Sequence, residues 1–356
     1  MIAPGAVNAH THLYSGLVPL GMPPLDPPAR GFLDILTRLW WRLDRAIDAP
    51  ILRASARYYA AHALLAGTTA VIDHHESPSF IEGSLDVIAD ACEALGLRAL
   101  VCYGATERNF GRDEARRGLA ECRRFLREND RPLVRGMIGL HASFTVSDET
   151  LRDAGRLSWE LGAPAHVHMA EDRADVEDAW QRGAAGPLER MLGHEALARG
   201  SILAHGVHLS REEVKLADEM GLWLVHNPRS NENNGVGYAE ALGESMHVAL
   251  GTDGFPADMA DEAAASRALA ASHGDDPTLA DRRLGAGSTL IAARFGEAID
   301  DVVDHDVDGR VRAVRVGRRV VVEDGLLVAA DLDEIEAEAR EQAERLWQRM
   351  RSQGDR

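Results

Sequence analysis

The sequence predicts an α/β protein of the (β/α)8 barrel class, on three observations. Eight short apolar, β-rich runs recur within residues 6–254, stretches of helical period separate them, and several of those stretches open on serine and close at or near glycine. Serine caps a helix N-terminus by accepting from first-turn N–H groups, and glycine ends a helix because it takes the left-handed conformation at little cost. Eight β-then-α units over roughly 250 residues is the size and order of such a barrel. Two open doubly wound sheets are the structural alternative.

In chain order the strand candidates are AVNAHTHL (6–13), TTAVID (68–73), LRALVCYG (97–104), VRGMIGLHA (134–142), APAHVHMAE (163–171), SILAHGV (201–207), GLWLVHN (221–227) and HVALGTDG (247–254). The capped stretches SLDVIADACEALG (84–96), SDETLRDAGRLSWELG (147–162) and SREEVKLADEMG (210–221) are the clearest helices between them. Between the first two strands, FLDILTRLWWRLDRAI sets Phe32, Leu33, Leu36, Leu39, Trp40, Leu43 and Ile47 on one helical face. Trp41 falls on the opposite face, among Asp34, Arg38, Arg45 and Asp48. A bulky aromatic among charges predicts a covered surface, either a subunit contact or a lid over the barrel mouth.

Past residue 300 the pattern changes. DDVVDHDVDG (300–309) reads as an acidic loop, RVRAVRVGRRVVVEDGLLV (310–328) alternates about a Gly turn as a β-hairpin does, and LDEIEAEAREQAERLWQRM (332–350) reads as an amphipathic helix. Residues 1–300 are therefore expected to form the barrel, and residues 301–356 a small appendage.

Composition narrows the partners. The 57 acidic residues outnumber 39 basic ones for a formal net charge of −18, the reverse of the basic footprint that nucleic acid requires. Cys92, Cys102 and Cys122 form no CxxC pair and suit a reducing compartment, and neither a signal segment nor an uncharged apolar run of membrane-spanning length occurs. The expectation is a cytoplasmic protein with no nucleic-acid and no membrane partner.

The histidines are arranged by strand. Residues i and i+2 of a strand share a face, so His10 and His12 project together. The fifth strand carries His166 and His168 followed by Glu171, the sixth His205 and His208, and the eighth ends in Thr252-Asp253-Gly254. Histidines and carboxylates thus gather at the C-terminal ends of strands one, five, six and eight, where a barrel builds its active site. Spacing alone does not choose His168 over His166, or His205 over His208.

The set NAHTH, HVHMAE, LAHGVHL, HNPRSN and LGTDG, in this order, resembles the amidohydrolase superfamily, in its aminohydrolase and chlorohydrolase branch that includes guanine and S-adenosylhomocysteine deaminases. LWWRLDRAID, DHHESP and HNPRSNENN resemble more closely an aminohydrolase subgroup linked to selenium metabolism. The resemblance implies that His10, His12, His168 and Asp253 bind one divalent metal, zinc in the first place and iron in the second. It sets His205 beside the metal, orienting the hydroxide and stabilising the oxyanion, and makes Glu171 the general acid/base. Asp253 would take the proton of the water. His141 is similar to the family histidine that bonds the substrate ring; Asn227 and Arg229, with Trp41, are expected to line the pocket. His74 and His75 end strand two, in a pocket or a structural role. Family members with two metals bridge them by a lysine at the end of strand four, but VRGMIGLHAS has none and the only lysine, Lys215, lies in a helical stretch, so a single metal is expected.

The implied reaction is hydrolytic deamination of a small amino-substituted N-heterocycle of the purine, pterin, pyrimidine or triazine type. Hydrolytic dechlorination at the same site is the alternative, and a silent metal-binding relative is an alternative of another class. Glu171 lies three residues beyond His168, so its role requires the chain to turn just after that histidine. Family members usually carry strands of a β-sandwich ahead of the first HxH. Here those are expected to be missing, leaving a reduced C-terminal β appendage, with a homo-oligomer contact covering the hairpin edge and the barrel bottom.

Overall fold

A computed structural model describes residues 1–353. Its strands are β1 (Ile2–Pro4), β2 (Ala6–Thr11), β3 (Thr68–His75), β4 (Arg98–Ala105), β5 (Val134–Gly136), β6 (Ile138–Ala142), β7 (Ala165–Met169), β8 (Ile202–His205), β9 (Trp223–His226), β10 (Val248–Leu250), β11 (Val302–His305), β12 (Val311–Val316), β13 (Arg319–Glu323) and β14 (Leu326–Leu327). Eight of them pair in parallel in the order β10-β9-β8-β7-β6-β4-β3-β2. The ring closes where Thr252 N and Asp253 N donate to the His10 carbonyl at 3.0 and 2.9 Å, beside a bridge between Thr11 and Asp253. This is the expected (β/α)8 barrel. The fourth expected strand is divided at Met137 into β5 and β6. Strands β3 and β4 are buried along their whole length, as strands covered on both faces must be, and this is why they read as unbroken apolar runs.

The caps follow their chemistry with one exception. Ser147 Oγ accepts from Thr150 N, and Ser210 and Glu213 form a reciprocal capping box. Ser84, expected to cap, is instead the first helical residue behind Gly83. Gly96 and Gly162 end their helices in the left-handed conformation.

The appendage is richer than expected. The acidic run expected as a loop contains β11, because Val302 and Val303 alternate against β12; Val303 is buried and Val302 partly so. The hairpin extends into β14, and the strand expected to be missing at the N-terminus is present in miniature: β1 pairs antiparallel with β11, Ile2 opposite Asp304. The resulting five-stranded sheet runs β1-β11-β12-β13-β14. The C-terminal helix (Leu332–Ser352) lays Ile335, Ala339, Ala343, Leu346 and Trp347, one face at helical spacing, into the hydrophobic cluster that also holds Leu52, Ala56 and Leu64 of the Ala49–Leu65 helix. The appendage and the barrel wall thus share one core.

The segment expected as one continuous helix between β2 and β3 is broken. An α turn (Phe32–Ile35) runs into a π turn (Leu36–Trp40) and back into an α-helix (Trp41–Ala46). A π turn inserts one extra residue, which rotates everything after it relative to a regular helical wheel. The face expected to be buried is therefore split: Leu33 is 45% exposed while Trp41 turns inward. Among the described residues no helix is long and apolar enough to cross a membrane.

Candidate active site

Three residues at the C-terminal mouth of the barrel sit in the left-handed region that L-residues rarely adopt: Ala170 (φ 47°), His205 (φ 74°) and Asp253 (φ 52°). Such strain persists only where the surroundings over-determine it: Ala170 follows directly on β7, His205 ends β8, and Asp253 lies three residues past β10 in the bridge to Thr11. At Ala170 the reversal swings Glu171 back over the barrel, the turn that its expected role requires. Asp175 clamps this corner, its two oxygens accepting Ala170 N at 2.8 Å and Phe144 N at 3.0 Å.

Four histidines then converge on Asp253, and each is held by its Nδ1 side. His12 Nδ1 bonds the His74 carbonyl at 2.5 Å, His168 Nδ1 the His141 carbonyl at 2.7 Å, His205 Nδ1 the Asn231 Oδ1 at 2.9 Å, and His10 Nδ1 the Nε2 of His166 at 2.9 Å. An oxygen acceptor at Nδ1 fixes the proton there and leaves Nε2 as a bare lone pair. His12 Nε2 lies 2.8 Å from Asp253 Oδ1 and 3.3 Å from His168 Nε2, and His10 Nε2 lies 3.5 Å from Asp253 Oδ1. The ligand atoms of His10, His168, His205 and Asp253 all fall within 4.8 Å of one another. His10 Nε2 and His205 Nε2 are buried and meet no hydrogen-bond partner. Buried imidazole nitrogens gathered round a carboxylate, of which His12 alone shares a proton with it, are the donor set of a divalent cation.

Charge distribution agrees. Burial drives His10 down to about 3, against the pull of Asp253, and pushes His168 well below the ordinary imidazole range. His12 alone of the four rises, to about 9: burial lowers it, but the bond to Asp253, the charges of Asp253 and Glu76 and the bond to the His74 carbonyl together outweigh burial. Asp253, despite burial, is held well below the usual carboxylate range by His10 and His12, and Ser230 donates to its other oxygen. Glu171 goes the opposite way: burial, then the charge of Asp253, pushes it well above the ordinary range. Two carboxylates with pKa values driven apart are the pattern of an ionised group and an acid held in one site. Glu171 Oε2 stands 3.7 Å from His205 Nε2, and Asn234 Nδ2 reaches Glu171 Oε1 at 3.5 Å.

The cavity over this cluster is lined by Glu171, Asp253, His12 and His168, by His141, and by the aromatic roof of Phe32, Trp40, Trp41 and Phe144. Trp41, expected under a lid or a subunit contact, lines this cavity. Its ring stacks under the Arg108 guanidinium at 4.9 Å and edge-on to His141 at 6.5 Å. His141 Nδ1 bonds Thr145 Oγ1 at 3.0 Å. Asn227 and Arg229, expected here, are not among the lining residues. Asn227 is fully buried, and Arg229 is tied to Glu262 and the Pro256 carbonyl. Their motif works two residues further on, where Ser230 and Asn231 hold Asp253 and His205. His166, left open against His168 by spacing, holds His10. His74 is buried between the Leu140 carbonyl (2.9 Å) and Glu76 (2.9 Å), His75 bonds Ser77, and neither reaches Asp253. Glu76 and Arg108 line the cavity; Glu76 lies in the DHHESP motif, to which the resemblance assigned it no role, and Arg108 carries no motif signal. Lys215 is a surface residue facing Glu244.

The sequence model of the Amidohydrolase family matches residues 1–295. A 5'-deoxyadenosine deaminase of Methanopyrus kandleri is 27% identical over 97% of this chain and 86% of its own length. A 5-methylthioadenosine/S-adenosylhomocysteine deaminase of Thermoanaerobacter pseudethanolicus is 28% identical over 70% of this chain and 57% of its own. Among solved structures, an adenosine deaminase from Xanthomonas campestris with bound zinc superposes with a TM-score of 0.78 at 25% identity, covering 97% of this chain and 85% of that one.

Proposed function

This chain belongs to the amidohydrolase family, and on that footing we propose that it hydrolytically deaminates an amino-substituted N-heterocycle of the purine, pterin, pyrimidine or triazine type, using one divalent ion, zinc before iron. The names of its relatives support the reaction class. The observation that carries the reading is Glu171, a buried acid kept protonated beside a cluster of bare imidazole lone pairs.

His10, His12, His168 and Asp253 are the proposed ligands. A divalent ion held by them supplies Lewis acidity that brings the pKa of a water towards about 7. Asp253 takes one proton of the attacking water. His205 orients that water by accepting its other hydrogen at Nε2; because Asn231 fixes its proton at Nδ1, it serves as an acceptor and not as the oxyanion donor expected from the resemblance. Glu171 protonates the ring nitrogen of the amidine unit as oxygen adds to the carbon. The proton collected by Asp253 then passes to the exocyclic nitrogen, the C–N bond breaks, ammonia leaves, and Glu171 recovers its proton from the ring nitrogen or the new hydroxyl. Chloride departs without needing a proton, so an acid with a raised pKa favours the amine over the dechlorination reading.

A cytoplasmic setting and a homo-oligomer belong to the same proposal. All three thiols are free and buried, and the hairpin edge exposes Leu326, Val328 and Val320, the kind of open apolar edge that a partner copy covers. The test is ammonia release by zinc-loaded protein across purines, pterins, cytosines and triazines. Chloride release from chlorotriazines with ammonia from none of the amines would overturn the deaminase reading, and substoichiometric metal with no gain on adding zinc would favour the silent one.

A further inference from the structure

Among the charged side chains that line the cavity, Arg108 and Glu76 have no part in the mechanism above. Arg108 follows β4, and its side chain is only 4% exposed. Its Nε donates to Thr106 Oγ1 at 3.1 Å and its Nη2 to Asp44 Oδ2 at 2.9 Å, which fixes the guanidinium over the Trp41 ring. Its Nη1 is buried and meets no acceptor, and the indole Nε1 of Trp41 is in the same condition. Glu76 follows β3, with Oε2 accepting from Tyr14 at 3.0 Å and Oε1 lying 2.9 Å from His74 Nδ1. A carboxylate has about four lone-pair sites, so acceptor capacity remains. Arg108, Trp41 and Glu76 all line the cavity that Glu171 and Asp253 line.

A buried donor without a partner is costly, more so when charged, and the cost is recovered when a ligand supplies the acceptor. The missing acceptor is a neutral one. Glu76, Asp172 and Asp253 line the same cavity, so a ligand anion would meet carboxylates on every side. A carbonyl oxygen can accept from either donor without that repulsion, and an N–H beside it suits Glu76. We propose that Arg108, Trp41 and Glu76 form a specificity-determining group that selects amino-heterocycles carrying a ring oxo group beside a ring N–H over rings that lack it. The inference rests on the deaminase reading and narrows it, since an adenine ring carries no oxo group.

Matched ring pairs test it on the zinc-loaded full chain: guanine against 2-aminopurine, isocytosine against 2-aminopyrimidine, and cytosine against 4-aminopyrimidine. A site built to hydrogen-bond a substrate group rejects the analogue without it by up to about 10⁴–10⁵-fold. The expected result is a kcat/KM at least about 100-fold higher for the oxo member of whichever pair is turned over. Arg108→Met should collapse that ratio towards one, and the wild-type pairs decide the matter if this variant fails to fold. Calorimetric Kd values for the same pairs keep the two readings apart. No ammonia from any ring, with the oxo members still bound at least about 10-fold more tightly, sinks the deaminase reading and upholds the recognition group. Equal kcat/KM and equal Kd within the pairs, with or without turnover, overturns the recognition group.

Discussion

His166 Nε2 stands 2.9 Å from His10 Nδ1, one fully buried imidazole holding another by the nitrogen that faces away from Asp253. The partner behind a ligand sets its tautomer and orientation, and losing such a partner typically lowers metal affinity 10–100-fold. His166→Ala should therefore lower zinc affinity by about that factor while the circular dichroism spectrum stays that of the barrel. His208→Ala, on a half-buried side chain outside the cluster, should leave it unchanged. Equal zinc content in all three proteins after equilibrium dialysis at limiting zinc would refute the holding role.

Glu171→Gln preserves the shape of the side chain and removes its transferable proton. A positioned acid contributes about 10²–10⁴-fold, so kcat should fall by that range with bound zinc still at one equivalent. Near-normal turnover would remove Glu171 from the mechanism.

The pH dependence has a defined sign. Glu171 acts in its protonated form and its pKa is raised, so kcat should hold through neutral pH and decline on the alkaline side as that proton is lost. Asp253, held low, stays ionised throughout. A rate that rises monotonically with pH over this range would contradict the assignment.

Metal uptake should release a proton. With no ion bound, His12 titrates at about 9 and carries a proton at neutral pH, whereas His10 at about 3 is already neutral. A ligand nitrogen must be deprotonated, so zinc affinity should rise with pH up to about 9 and level off above it. Calorimetry in buffers of different ionisation enthalpy measures this directly. About one proton per zinc is expected at pH 7, and none would mean that His12 is not a ligand.

Asp48 joins the appendage to the barrel. It caps the Ala49–Leu65 helix by accepting from Ile51 N at 3.2 Å, and it binds Arg345 and Arg349 of the C-terminal helix. Removing a cap of this kind costs about 0.5–2 kcal/mol, so Asp48→Ala should lower Tm by several degrees at pH 7. Burial opposes ionisation, but the Arg345 contact and the cap bond hold its pKa below the ordinary value. Its stabilisation is therefore present above about pH 4 and is lost as pH falls further, so thermal melts of the two proteins should converge in acid.

The barrel was legible in the chain because it rests on local periodicity, whereas the proposed ligands came from the family resemblance of the histidine motifs. Alternation placed His10 and His12 on one face, capping residues bounded the helices, and strand ends gathered His168, His205 and Asp253 at one mouth whatever the exact packing. The residues that aim those groups were not legible. That His166 holds His10 follows only from the strand that lies across from it, and the roles of Ser230 and Asn231 only from the turn of the Pro228–Asn233 helix. The π turn at Leu36–Trp40 breaks the helical wheel that set Trp41 on the charged face, and β1 and β11 are too short to declare themselves except by pairing with each other. By itself the sequence determined the fold class, the reaction family and the atoms able to bind a metal. Tertiary structure alone decided which histidine nitrogen faces the cluster, which carboxylate is pushed towards its protonated form, and which further side chains, Arg108 and Glu76 among them, line the cavity. Those properties are set by burial and by partners tens to hundreds of residues away, and no periodicity along the chain records them.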